Sequence, residues 1–315
     1  QMKVLKFGGK SLANGEGITT VLNIIESKIK QDEKVAVVVS ARGKATDELD
    51  DILTIAVKNG NYKPLLESFK NYQKEGYEAV DFSTEFDKLD KLFEGVSLIG
   101  DYSAKIQDQI LAQGEVISAK LVVYLLNKRG ILAKLGDTRD LIVTDSNFGD
   151  AQPLDVLSKK NVIQIFNENK DAVLVITGFI GANAKHETTT LGRNGSNYTA
   201  SLIANFINAE ELQNFTHVDG IYTANPDLVP DAKKIDHLTF NEANELANFG
   251  ATILHAKTII PLLEKNIPLR ILNTFNHENK GTLITSNAKE PAIKTTSVAE
   301  NVVLVHLQGR AVIGK

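Results

Sequence analysis

The chain has 315 residues, 43% of them hydrophobic and 23% charged, with a net charge of −4. This is the balance of a globular protein of one large domain or two ordinary ones. The absence of cysteine excludes disulfides and thiolate metal sites, and the acidic balance offers no surface for nucleic acid. No apolar run approaches the ~20 residues that span a membrane, and no signal peptide precedes the first strand-like run. A cytoplasmic protein with no membrane partner is therefore expected.

Val4–Phe7 reads as a buried strand and runs into Gly8-Gly9-Lys10-Ser11. Glycines let backbone N–H groups close on a phosphate, and a helix after the loop offers its positive end. Lys6 stands just before the glycines. Gly9-Lys10-Ser11 imitates the end of a Walker A loop, but that motif needs a glycine where Val4 stands. A strand-to-helix turn that merely requires glycine is the plainer alternative. Ile18, Val21, Leu22, Ile25 and Ile29 then recur at three and four, the stripe of an amphipathic helix.

Val35–Val39 reads as the second strand, and residues 47–128 as several consecutive helices inserted over one end of a sheet. Within the helical run Ile110–Leu126 lies Gln113-Gly114-Glu115. A glycine there costs roughly 1 kcal/mol against alanine, so packing or a ligand is expected to require it. Ile131–Leu135 and Val173–Thr177 read as further strands, followed by a loop over Gly178–Glu187. Thr188 to Asn197 then crowds hydroxyls, glycines and Arg193 before a helix starting near Ser196, an arrangement suited to a carboxylate or phosphate. Ala200–Ala209 reads as helix. Phe215 to Pro226 reads as a strand end and a turn-rich loop, the place where open α/β sheets bind ligands. Asn241–Asn248 reads as helix and Leu269–Leu272 as strand.

Asn287–Pro291 reads as a linker, and Ile293–Ser297 and Asn301–Leu307 as the first strands of a truncated second domain. Strand–helix alternation implies an α/β fold, a mostly parallel sheet sandwiched by helices. The histidines, among them His217, His237, His255 and His277, have no ligand spacing, so no metal site is expected.

Taken in order, these segments resemble the aspartokinases of the amino-acid kinase family, over Lys3 to about Thr285. The carriers are Lys6-Phe7-Gly8-Gly9-x-Ser11, Val39-Ser40-Ala41 with Thr46, Thr144 to Gly149, Leu191 to Ser196, Val218 to Thr223 with Pro226, and Phe249-Gly250-Ala251 with Leu254-His255. The run Asp219-Gly220-Ile221-Tyr222-Thr223 looks most like the kinase part of bifunctional aspartokinase–homoserine dehydrogenases. The resemblance implies an amino-acid kinase-like catalytic domain over 2–286 and the truncated start of an ACT regulatory domain over 292–315. It implies transfer of phosphate from ATP, accompanied by Mg²⁺, to the side chain of L-aspartate, on the route to lysine, threonine and methionine. It also implies a homo-oligomer in the full-length protein.

The resemblance carries roles with it. Lys6 would neutralise the transferring phosphoryl, and Gly8, Gly9 and Ser11 would cradle phosphates. Thr46, Glu115 and Arg193 would hold aspartate, with Ser196 and Asn197 on the same substrate loop. Thr216, His217, Tyr222, Asn225, Pro226 and Thr252 would lie along the nucleotide. Four positions depart from the family pattern: Lys10 replaces threonine, Thr252 lysine, and Asn197 and His217 aspartates. The exchange at 10 and 252 suggests that Lys10 supplies the missing phosphate-neutralising charge, with Lys257 as the competing candidate. A related amino-acid kinase with another acid substrate, and a non-catalytic binding module, remain the alternatives.

Overall fold

A computed structural model describes residues 1–223, 227–248 and 255–287. The apolar runs form strands because β-branched residues fit a pleated surface buried on both faces. β1 (Met2–Phe7), β2 (Lys34–Val39) and β5 (Val173–Thr177) pair in parallel, with Lys6 opposite Val38 in β2. β3 (Ala133–Gly136) extends this side. On the other flank come β8 (Glu211–Thr216) and β12 (Leu269–Asn273), again parallel. β13 (Thr282–Thr285) runs antiparallel to β12 and parallel to β11 (His237–Thr239). Among the described residues the main sheet therefore has the order β11-β13-β12-β8-β1-β2-β5-β3.

Helices cover both faces. One layer is α1 (Gly15–Lys30) with a four-helix lobe: α2 (Ala45–Val57), α3 (Lys63–Lys74), α4 (Ser83–Ile99) and α5 (Ala104–Lys128). Leu5, Phe7, Val37 and Val39 point into this layer. The opposite layer contains α6 (Asp155–Glu168), α7 (Gly195–Phe206), α8 (Phe240–Asn248) and α9 (Ala256–Glu264), and receives Val4, Ala36 and Val38. This alternation follows from the two-residue period of a strand. It also puts Lys6, which shares the parity of Val4, on the α7–α9 side.

Three expectations shift. The strand expected over Ile131–Leu135 begins at Ala133, because the Ile131 amide is spent on the Leu126 carbonyl at the end of α5 and Leu132 is exposed. The loop expected over Gly178–Glu187 contains β6 (Ile180–Asn183), which pairs with β7 (Thr188–Thr190) and β4 (Val143–Thr144) in a second sheet. The hydroxyl-rich run Thr188–Thr190 is therefore strand, not loop. Helix α7 ends at Phe206 rather than Ala209, with Asn208 turning the chain at positive φ.

Helix α5 is long and apolar enough to cross a membrane by length and composition, the one such helix among the described residues. It is a core helix here: it buries Asp108, Gln113 and Glu115 along with its aliphatic side chains. The strands expected at Ile293–Ser297 and Asn301–Leu307 lie outside the described residues, as do Asn225, Pro226, Thr252 and the segment Phe249–Leu254.

Candidate active site

The parallel strands β1, β2, β5 and β8 end on one edge, and the loops leaving them meet there. β1 delivers Lys6, which is 5% exposed. Burial pushes its ammonium down to about 8, partly offset by the charge of Glu115. Glu115 reaches the same place from α5. Its Oε2 accepts the Ala41 N–H at 2.9 Å, and Oε1 is buried with no partner among the described residues. Burial pushes this carboxyl up to about 8, opposed by the Ala41 N–H and by Lys6. A buried lysine and a buried carboxyl with one oxygen unused make a polar centre in an otherwise apolar layer junction, the arrangement expected where a charged ligand completes the hydrogen bonding.

Two glycines explain how these parts fit. A Cβ on Gly114 would sit 2.9 Å from the Ala41 methyl, so glycine lets α5 press against the β2–α2 loop and brings Glu115 to the Ala41 amide. A Cβ on Gly9 would meet the carbonyl oxygens of Gly43 and Ala41 at 2.7 and 2.8 Å, while Gly9 accepts the Gly43 N–H at 2.8 Å. Gly9 is thus required by the approach of two loops. Gly8 leaves ordinary contact distance, 3.5 Å, between its missing Cβ and the Lys6 Nζ.

The expected phosphate cradle is only partly free. Ser11 is buried, and its hydroxyl is 2.7 Å from that of Thr274, fastening the loop to the turn after β12. Thr216 is likewise engaged: it accepts the Val218 N–H and lies 3.0 Å from the Leu272 carbonyl. Both hydroxyls hold loops together. Lys10 is exposed, and its charge, after burial, helps lower the pKa of half-buried His217. Lys10 follows the end of β1 and His217 the end of β8. Tyr222, in the short strand β9 (Ile221–Tyr222), lies 3.4 Å from Asp219. Asp219 in turn accepts the side-chain amides of Asn273 and Asn276, each at 3.0 Å.

On the α7 side, Asn197 accepts weakly from Asn214 at 3.5 Å. Asn214 pairs with Lys6 across the β1–β8 ladder, and its Oδ1 is buried without a partner among the described residues. Lys6, Asn197 and Asn214 line a small cavity together with Thr258 of α9 and His255, which caps that helix. Ser196 packs beside the Gly178 backbone and Thr46 is half-buried in the first turn of α2. Arg193 is exposed on the Leu191–Asn194 loop. That loop is held by Lys257, whose Nζ donates to the Leu191 carbonyl at 2.9 Å and lies 5.3 Å from the centre of the Tyr198 ring. One of the three ammonium donors of Lys257 is thus spent on a backbone carbonyl.

Asp108 and Arg42 drew no attention in the sequence. Asp108 accepts the Gly149 and Thr190 amides and the Thr190 hydroxyl, bracing β7 just ahead of the Arg193 loop. Its spacing of seven from Glu115, about two helical turns, was the readable signal. Among the described residues no group of His, Asp and Glu could hold a metal ion by itself.

A family model described as "Amino acid kinase family" matches residues 1–273. The chain is 33% identical over 298 residues to a bifunctional aspartokinase/homoserine dehydrogenase of Buchnera aphidicola, covering 90% of this chain and 36% of that protein. It is 30% identical over 300 residues to lysine-sensitive aspartokinase 3 of Escherichia coli, covering 93% and 66%. Its fold matches the crystal structure of E. coli aspartokinase III in complex with aspartate and ADP with a TM-score of 0.82 at 30% identity, over 92% of this chain and 66% of that one. The chain thus spans from about a third to just under two thirds of the length of these relatives.

Proposed function

The chain belongs to the amino acid kinase family, and from that premise we propose that it is an aspartate kinase, transferring the γ-phosphoryl of ATP to the side-chain carboxylate of L-aspartate. The observation that carries this reading is the buried pair Lys6 and Glu115 at the mouth of the glycine loop, with one Glu115 oxygen unused. The names of the relatives, one of them solved with aspartate and ADP, support it.

In this reading Glu115 Oε1 accepts the amino group of aspartate, and exposed Arg193 takes a carboxylate in its bidentate fork. The attacking carboxylate is already ionised at neutral pH, so no general base is needed. The task is to bring two anions into line and to stabilise charge on the transferring group. Lys6 is buried beside that path and supplies a positive charge whose effect is not diluted by water. Gly8 leaves the loop backbone open to the phosphates, while Gly9 lets the neighbouring loop pack against it. Lys10 and His217 flank the same edge, and Lys10 supplies the charge that Thr252 lacks. Lys257, with one of its three ammonium donors on the Leu191 carbonyl, is the competing source of that charge. Mg²⁺ enters with ATP as part of the nucleotide substrate. Residues 2–286 form the catalytic domain in this reading, and 292–315 begin a regulatory region.

The test is ADP release with Mg-ATP, with and without L-aspartate, trapping the acyl phosphate with hydroxylamine. Hydroxamate that depends on aspartate is the expected result; aspartate-independent release, or none, overturns the assignment. Lys10→Thr should cut turnover strongly and Thr252→Lys should partly restore it. Normal turnover in Lys10→Thr removes Lys10 from the mechanism.

A further inference from the structure

Arg42 lies between Ala41, whose amide is held by Glu115, and Gly43, whose amide is held by Gly9. It is 3% exposed, and among the described residues no carboxylate is its partner. Its Nε donates to the Leu12 carbonyl at 2.9 Å, at the far end of the glycine loop. Its Nη1 reaches the backbone and side-chain oxygens of Gln73 at 3.3 and 3.4 Å, at the end of α3. The guanidinium lies 4.8 Å from the centre of the Tyr72 ring and 5.5 Å from that of Tyr77. The Tyr72 hydroxyl donates to the Ala13 carbonyl, so the ring beneath the guanidinium also reaches the loop.

A buried cation is costly unless its donors are satisfied, and here carbonyls and ring faces satisfy it instead of an anion. That choice has a consequence. A carboxylate would have bound one point; Arg42 binds two carbonyls on separate segments, Leu12 of the loop and Gln73 of the lobe. Its planar fork fixes the distance between them.

We propose that Arg42 is a positioning residue: it ties the glycine loop to the helical lobe and so holds that loop in the shape that receives the nucleotide. This rests on the kinase reading above. Aspartate placement should be nearly untouched, because the Ala41–Glu115 and Gly43–Gly9 bonds use backbone groups that survive a change of the Arg42 side chain.

The experiment compares Arg42→Met with the parent chain by steady-state kinetics and by amide hydrogen exchange of the free chain. The expected result is an ATP KM raised at least fivefold, an aspartate KM within twofold, and exchange at least tenfold faster in residues 8–15. Arg42→Lys keeps the charge but not the fork, and should stay at least threefold impaired in ATP KM. Full recovery by lysine, an ATP KM within twofold in the methionine variant, or equal rises in both KM values would overturn the tie. So would faster exchange confined to residues 72–77. If Arg42→Met does not fold, Tyr72→Phe removes only the hydroxyl's bond to Ala13. It should raise the ATP KM at least twofold and speed exchange at 11–15, and parental values there overturn the proposal. If the parent chain shows no aspartate-dependent turnover, the kinase reading fails, and the exchange comparison still decides whether Arg42 holds the loop.

Discussion

Glu115→Gln separates the stability role of this carboxyl from its binding role. In the folded chain the carboxyl is pushed from 4.5 up to about 8, first by burial. A group whose pKa is raised on folding favours the native state fully below its unfolded pKa, and that contribution is lost as pH rises through the folded value. Glu115 should therefore lower the stability of the protein progressively between about pH 4.5 and 8. At about 1.4 kcal/mol per pKa unit the loss is on the order of a few kcal/mol. Lys6 works in the opposite sense only above that window, since its pKa falls from 10.5 to about 8. Glutamine keeps an acceptor for the Ala41 amide and cannot ionise. Urea midpoints measured from pH 5 to 8 should fall in the parent chain and stay flatter in Glu115→Gln, which should be the more stable protein at pH 8. The same change removes a charged hydrogen bond to the aspartate amino group, about 1.5–3 kcal/mol, so kcat/KM for aspartate should drop by roughly ten- to a hundredfold. Parallel stability curves for the two proteins would refute the burial argument. An unchanged kcat/KM would refute the contact with substrate.

Gly9→Ala places a methyl against two backbone carbonyls that have no flexible end to give way; it should cost about 1–3 kcal/mol in urea denaturation and impair turnover. Ser11→Ala breaks the buried bond to Thr274 and should cost about 1 kcal/mol of stability, read as a lower urea midpoint; an unchanged midpoint would show that this bond does not fasten the loop. Lys257→Met frees the Leu191 carbonyl and should raise the aspartate KM several-fold with the ATP KM little changed; the reverse pattern would place Lys257 at the phosphates after all.

Periodicity and composition carried the architecture far. Val173–Thr177 came out as the strand expected, and the inserted helices run over Ala45–Lys128 against the expected 47–128. These elements are written locally, in alternation of apolar runs and stripes, which is why the sequence suffices for them. It also singled out Lys6, Glu115 and Arg193 by residue type beside glycine. What it could not decide is where side chains spend their hydrogen bonds. Ser11 and Thr216 look like free hydroxyls in the sequence and are engaged in the fold, because their partners, Thr274 and Leu272, lie far along the chain. The run Thr188–Thr190 looked like loop because its pairing partner β6 carries no strong strand signal of its own. Arg42 was unreadable for the same reason: its meaning lies in Leu12, Tyr72, Gln73 and Tyr77, which only the docking of the helical lobe brings together. Local pattern marked strands such as β2, β5 and β12 and the helices of the lobe, and residue type marked the groups available for chemistry. The tertiary structure decided which of those groups are committed to holding loops and which are left open to a ligand, since that depends on contacts between residues the chain order keeps apart.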